Sequence, residues 1–167
     1  RNIFQAKAEL YAVRAILGGV GLFSLETSMK IGKKIGIFFG TKFPKLQKTA
    51  RRNLEIAYPN LPEEEKERII RGTFESMGRH LGFVSHFRKF KHEDIRNLVE
   101  IVGRENFDKA HASGKGILFF TGHFGSWEVF NLLPPAFGYG MNILVRRIDN
   151  ALVENFVDKM RTRFGSV

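Results

Sequence analysis

The apolar pattern of this chain changes period near residue 98, and that switch constrains the fold more than any other feature. Upstream the spacing is helical. Ile70, Phe74, Met77, Leu81 and Val84 recur at four, three, four and three residues, which predicts one amphipathic helix. Pro62 opens it, and Glu63, Glu64 and Glu65 fill its first turn, where carboxylates complement the helix dipole. Before it, Leu46, Ala50, Leu54 and Ala57 form the stripe of another helix that ends at Tyr58-Pro59-Asn60. Residues 9–40 read as helical and strongly apolar, with Leu10, Val13, Leu17 and Val20 at spacings of three and four, up to the break at Phe43-Pro44. Downstream, short apolar runs alternate with helical stretches. Residues 98–102, 117–121 and 142–145 are strand candidates, and 105–111, 126–133 and 151–164 are helix candidates. Strand alternating with helix predicts an α/β fold with a largely parallel sheet, on which the helical N-terminal part packs. No linker separates the two parts. The expected organisation is a single domain over 1–167: basic, apolar, membrane-associating helices in 1–45, then helices and the start of an α/β core in 46–167.

Charge is distributed as unevenly as period. Of a net +10, residues 1–60 carry 11 Lys and Arg against 3 Asp and Glu, while the rest of the chain is nearly balanced. A basic, apolar segment is drawn to anionic headgroups, nucleic acid or an acidic protein. Lys30, Lys33 and Lys34 lie among Met29, Ile31, Ile35, Ile37, Phe38 and Phe39, the composition of a helix lying in a headgroup layer. A core helix with a solvated edge has the same pattern; the charge asymmetry favours the membrane surface. Gly32, Gly36 and Gly40, four residues apart, permit close helix packing. No window is long and apolar enough to span a bilayer. The 17 Phe suit buried or lipid-facing surface, because the ring brings area without a polar group to satisfy. The absence of Cys excludes disulfides and thiolate zinc sites, and fits a reducing compartment or a cytoplasmic membrane face. Arg1 in place of Met, and a stop at Val167 just after a helix, read as a fragment of a longer protein.

The stretch that carries chemistry is Gly116-Ile-Leu-Phe-Phe-Thr-Gly-His-Phe-Gly-Ser-Trp-Glu128. An apolar run enters a glycine-flanked turn, His123 follows at once, and Glu128 stands one turn into the next helical segment. Turns at the carboxyl ends of strands are the usual location of sites in open α/β sheets. A carboxylate bonded to one imidazole nitrogen fixes the tautomer and leaves the other nitrogen as a base. Gly122 and Gly125 allow a sharp bend and close approach of a substrate. By itself, a His and a Glu five residues apart describe a structural histidine beside a helix cap equally well.

In this context, His-x4-Glu resembles the signature of acyltransferases that esterify glycerolipids and lipid A precursors. The fuller wording Gly-His-Phe-Gly-Ser-Trp-Glu resembles the bacterial lipid A late acyltransferases of the lauroyl and myristoyl type. Arg51-Arg52-Asn53-Leu54 with Tyr58-Pro59 is similar to their Arg-Asn-Leu…Phe-Pro stretch, and Val102-Gly103-Arg104-Glu105-Asn106-Phe107 to the segment before their catalytic strand. Arg146, Asp149 and Asn150 resemble their Arg-Pro-x-x-Asn-Pro loop, although Arg147 and Ala151 replace its prolines, and Arg161 stands where the following helix carries an Arg. The resemblance implies a glycerolipid acyltransferase-like α/β fold, with the later part of the enzyme beyond Val167. It also implies a mechanism, in which His123 is the general base for an acceptor hydroxyl and Glu128 orients it. The implied donor is an acyl chain on acyl carrier protein, with coenzyme A the less favoured carrier, and the acceptor is a lipid A precursor. Arg146 and Arg161 are assigned to phosphate binding or structural support, a solvated helix charge being the alternative for each. Oxyanion donors are backbone N–H groups around Gly125 or an Arg, and sequence does not choose among them. No metal or other cofactor is implied. The expected location is the cytoplasmic face of a bacterial inner membrane. Two rivals stay open: lysophosphatidic acid or another lipid as acceptor, and a non-catalytic peripheral membrane protein on the same scaffold.

Other signals are set aside. His80, His86, His92 and His111 lack metal-ligand spacing and read as surface or helix-edge residues. Ser113-Gly114-Lys115-Gly116 is not a phosphate loop, since position 109 is Lys and no Ser or Thr follows Lys115. Gly18-Gly19-Val20-Gly21 lacks the strand that a dinucleotide fingerprint requires. The basic pairs have no recognisable nucleic-acid reading module around them, so no nucleic-acid partner is expected.

Overall fold

The computed structural model describes residues 2–167. Its elements are α1 (Ile3–Val20), α2 (Leu25–Lys42), α3 (Pro44–Ala57), α4 (Glu63–Val84), α5 (His92–Leu98), α6 (Arg104–Ala112), a 3-10 turn (Trp127–Asn131), α7 (Leu133–Ala136) and α8 (Ala151–Arg161). They fall into two compact units. The first comprises residues 1–88 with 148–156, and the second comprises 89–147 with 157–167.

The fold is helical, and this corrects the expected α/β class: among the described residues there is no β-strand. A strand exists only as part of a ladder. Residues 117–121 make no main-chain hydrogen bond with one another or with other main chain among the described residues, and Leu118 and Phe120 are fully exposed. Leu144 is likewise fully exposed. Residues 98–102 end α5 and lead into α6. The nearest approach to pairing is at Val167, whose N–H donates to Met141 O at 2.9 Å while its carbonyl accepts from Ile143 N at 2.7 Å.

In the first unit, the predicted helix 9–40 is two helices. α1 closes at Gly21, and Ser24 caps α2 by accepting from Thr27 N. The main seam joins α2 to α4, which run antiparallel. Gly32 faces Gly78 so closely that a Cβ added at Gly32 would lie 2.1 Å from Gly78 O, and one at Gly78 would lie 2.2 Å from Gly32 O. Gly36 meets Phe74 O, and Gly82 meets Ser28 O, at comparable distances. Close backbone approach is what small residues every fourth position provide. The predicted α4 stripe is therefore only partly the buried face: Ile70 is buried, but Met77 is 53% exposed, and the glycines take its place. Lys33 bridges to Glu75 at 2.8 Å, which adds a charged link across the same seam.

A buried polar link finishes the unit. Ser28 Oγ donates to Val20 O at 2.7 Å and lies 3.0 Å from His86 Nε2. With its own proton spent on Val20, Ser28 Oγ accepts from His86 Nε2–H, which sets the tautomer. His80 and His86 are thus buried, contrary to the surface position expected for them.

The second unit packs α5 against α7 around Ile95, Leu132 and Ala136, all nearly inaccessible. Burial of side chains such as Ile95 and Leu132 contributes about 1.5–3 kcal/mol each. Arg96 Nη1 donates to Ala136 O at 2.7 Å, and Ser166 Oγ donates to Asn131 O at 2.9 Å.

Candidate active site

The candidate residues of the second unit lie on the turn after Thr121, on the 3-10 turn and at the end of α8. Phe124 N–H donates to Gly122 O at 2.9 Å, a three-residue turn with His123 at its apex. Gly125 follows with φ +52, a conformation that suits glycine and re-aims the chain into Trp127–Asn131. The predicted helix 126–133 is this short 3-10 turn, and Pro134 and Pro135 lie within α7 rather than ending a helix.

Because of this turn, His123 is exposed and its ring lies tilted against Trp127, with centroids 4.9 Å apart and planes at 59°. Glu128, by contrast, points inward. Arg161 Nε donates to its Oε2 at 2.9 Å and Arg161 Nη2 to its Oε1 at 2.5 Å, while Asn131 Nδ2 adds a bond to Oε2 at 2.7 Å. The Glu128 and Arg161 side chains are only 13% and 16% exposed. The structure therefore brings together two of the predicted site residues, Glu128 and Arg161, in a paired fork. No hydrogen bond joins His123 to Glu128 among the described residues. Arg161 and Asn131 thus hold the Glu128 carboxylate through three hydrogen bonds.

Arg146 is exposed and has no ion pair among the described residues. Gly122 has an intermediate exposure, and a Cβ there would press on the Phe124 ring at 3.0 Å. Asn131 is a contributor that the sequence reading missed. Its signal was available: a polar amide three residues after Glu128 faces the same side of a 3-10 turn.

In the first unit, Asn150 of the resembling loop is buried, and its role is structural. Its Oδ1 accepts from Leu152 N and Val153 N, capping α8, and its Nδ2 donates to Ala6 O at 3.0 Å and Glu9 Oε2 at 2.7 Å. Ala151, at a position where the resembling loop has proline, is the first residue of α8, where a proline would cost no hydrogen bond. A groove of about 360 Å³ also lies in this unit, with Ile37, Gly40, Phe74 and Arg71 among its walls.

A sequence model of bacterial lipid A biosynthesis acyltransferases matches residues 4–167. The chain belongs to that family. A lipid A biosynthesis acyltransferase of Haemophilus influenzae is 24% identical over 136 residues, 81% of this chain and 43% of that protein. The lipid A biosynthesis lauroyltransferase of Escherichia coli is 28% identical over 64% of this chain and 35% of its own length, and the palmitoleoyltransferase of the same organism is 26% identical over 59% and 32%. This lipid A acyltransferase family chain thus spans less than half the length of these curated relatives. No solved structure matches it. Among the described residues, no helix of this family member is long and apolar enough to cross a membrane.

Proposed function

We propose that this chain carries the acyl-transfer site of a lipid A acyltransferase, with His123 as general base and Glu128 as its positioning carboxylate. His123 takes the proton of an acceptor hydroxyl as that oxygen attacks the thioester carbonyl. The new C–O bond forms, the C–S bond breaks, and the proton held by His123 passes to the leaving thiolate. The donor is an acyl chain on acyl carrier protein, and the acceptor is a hydroxyl of a lipid A precursor at the cytoplasmic face of the inner membrane.

One observation carries this reading: His123 stands exposed at the apex of a tight turn, five residues before a Glu128 whose carboxylate Arg161 and Asn131 hold in place. Catalytic hydrogen bonds commonly tighten only when substrate is bound, and in this reading His123 Nδ1–H donates to Glu128 in that complex. Arg161 fits the structural-support alternative, since its Nε and Nη2 are committed to Glu128. Arg146, exposed and without an ion pair, suits a lipid phosphate. Backbone around Gly122 and Gly125 gives the acyl ester room to approach. The basic first third of the chain fits both an acidic carrier protein and an anionic membrane surface.

The test is thioester-dependent acylation by the full-length protein, with His123→Ala alongside. A loss of at least 10²-fold is expected, and unchanged turnover would overturn the assignment. Competition between a lipid A precursor and lysophosphatidic acid identifies the acceptor.

A further inference from the structure

The junction of α2 and α3 in the first unit presents an apolar, basic surface that no element of that unit covers. Phe38, Phe39, Phe43 and Leu46 are each between 45% and 56% exposed. Their rings are ordered against one another: Phe39 meets Phe38 edge-on at 5.7 Å and stacks on Phe43 at 5.3 Å. The backbone beneath is fixed, because Phe43 N–H donates to Phe39 O at 3.1 Å and Leu46 N–H to Phe43 O at 2.9 Å. Lys42, Lys45 and Lys48 interleave with these residues and are exposed.

The pairing of charges distinguishes this surface from an ordinary solvated face. Elsewhere in the unit Lys30, Lys33, Lys66, Arg68 and Arg71 each bridge to a glutamate. Among the described residues, Lys42, Lys45 and Lys48 have no such bridge, and the sequence from Thr27 to Leu54 holds eight Lys or Arg and no Asp or Glu. We infer that the Phe38–Lys48 junction is the face by which this chain docks on an anionic lipid surface, with the aromatics below the headgroups and the lysines among them. An acidic protein would satisfy the lysines but would not require a cluster of bare phenyl rings beside them. A lipid interface receives both. The inference rests on the membrane-surface part of the proposed function and specifies it, and it is independent of the chemistry at His123.

The experiment is co-sedimentation of the full-length protein with phosphatidylglycerol-rich vesicles and with pure phosphatidylcholine vesicles, together with acyl transfer in detergent micelles. Preferential binding to the anionic vesicles is expected, weakening as salt rises. Changing Lys42, Lys45 and Lys48 together to Glu should weaken it on the order of a hundredfold or more. Phe38→Ser with Phe43→Ser should remove the binding that persists at high salt. Both variants should keep the wild-type circular dichroism, and the phenylalanine variant should keep micellar turnover. Equal binding by wild type and both variants, or equal binding of wild type to both vesicles, would overturn the surface. So would vesicle binding that survives the lysine changes while affinity for acyl carrier protein is lost. Vesicle binding by a wild type that is inactive in micelles would count against the reaction and leave the docking face standing.

Discussion

Arg161 grips both carboxylate oxygens of Glu128 across 33 residues of sequence, in a fork that is nearly closed to solvent. Removing one partner strands the other charge, which costs about 3–5 kcal/mol for a buried pair. Arg161→Met and Glu128→Met should each lower stability by that order in denaturant unfolding. The double variant should lose clearly less than the sum of the two, because the pair is removed as a unit. Additive losses would mean that the fork contributes nothing in solution.

His123 lies in tilted ring contact with Trp127, the only Trp in the chain. Emission from that indole therefore reports on the proposed site without a label. An acyl-thioester analogue that enters beside His123 should shift the emission to shorter wavelength by excluding water. An analogue that leaves the fluorescence unchanged while inhibiting turnover would place the chemistry elsewhere. Because His123 is exposed, His123→Ala should change stability by no more than about 0.5 kcal/mol, so its effect on activity can be read directly.

Two glycines of α4 should respond oppositely to the same change. Nothing lies within 4 Å of a Cβ added at Gly72, so Gly72→Ala should stabilise the helix by up to about 1 kcal/mol. At Gly78 the added methyl would meet Gly32 O at 2.2 Å, and α2 and α4 would have to part. Overpacking of this kind costs about 1–3 kcal/mol or more. Thermal unfolding of the two variants separates these outcomes, and equal melting temperatures would mean that the seam is not as close as described.

Glu75 should contribute to the acid sensitivity of the first unit. The hydrogen bond from Lys33, reinforced by the charges of Lys33 and Arg71, holds its carboxyl below the ordinary value against a smaller opposing effect of burial. A depressed carboxyl contributes stability that is present above its unfolded-state value and lost as pH falls through the folded one. Glu75→Gln should therefore flatten the acid limb of a plot of denaturation midpoint against pH while leaving its slope near neutrality unchanged. An acid limb as steep as that of the wild type would rule out this contribution.

Much of the helical part was legible from period alone. α3, α4, α6 and α8 all have stripes or caps that a 3.6-residue repeat reveals. α5 was not foreseen, since seven residues with one buried side chain, Ile95, carry too little periodicity. The strands failed for a different reason. A run such as Ile117–Thr121 records only that its residues are apolar, whereas a strand needs a second run in register beside it. At the site, spacing brought out His123 and Glu128, and resemblance added Arg161. It did not reveal that Arg161 binds Glu128 itself, because residues 33 apart carry no local signal. The buried His86 was within reach: Phe74, Gly78, Gly82 and His86 stand four apart, opposite Ser28, Gly32, Gly36 and Gly40.

The seam between α2 and α4 frees the aromatic side chains around it. Two helices that meet backbone to backbone leave no volume between them for large residues, so cohesion there comes from many short main-chain contacts. Phe38 and Phe39 sit beside Gly40 on the same helix, yet they are not required to fill a core. A scaffold joined in this way can keep its shape while turning its greasiest residues toward another medium.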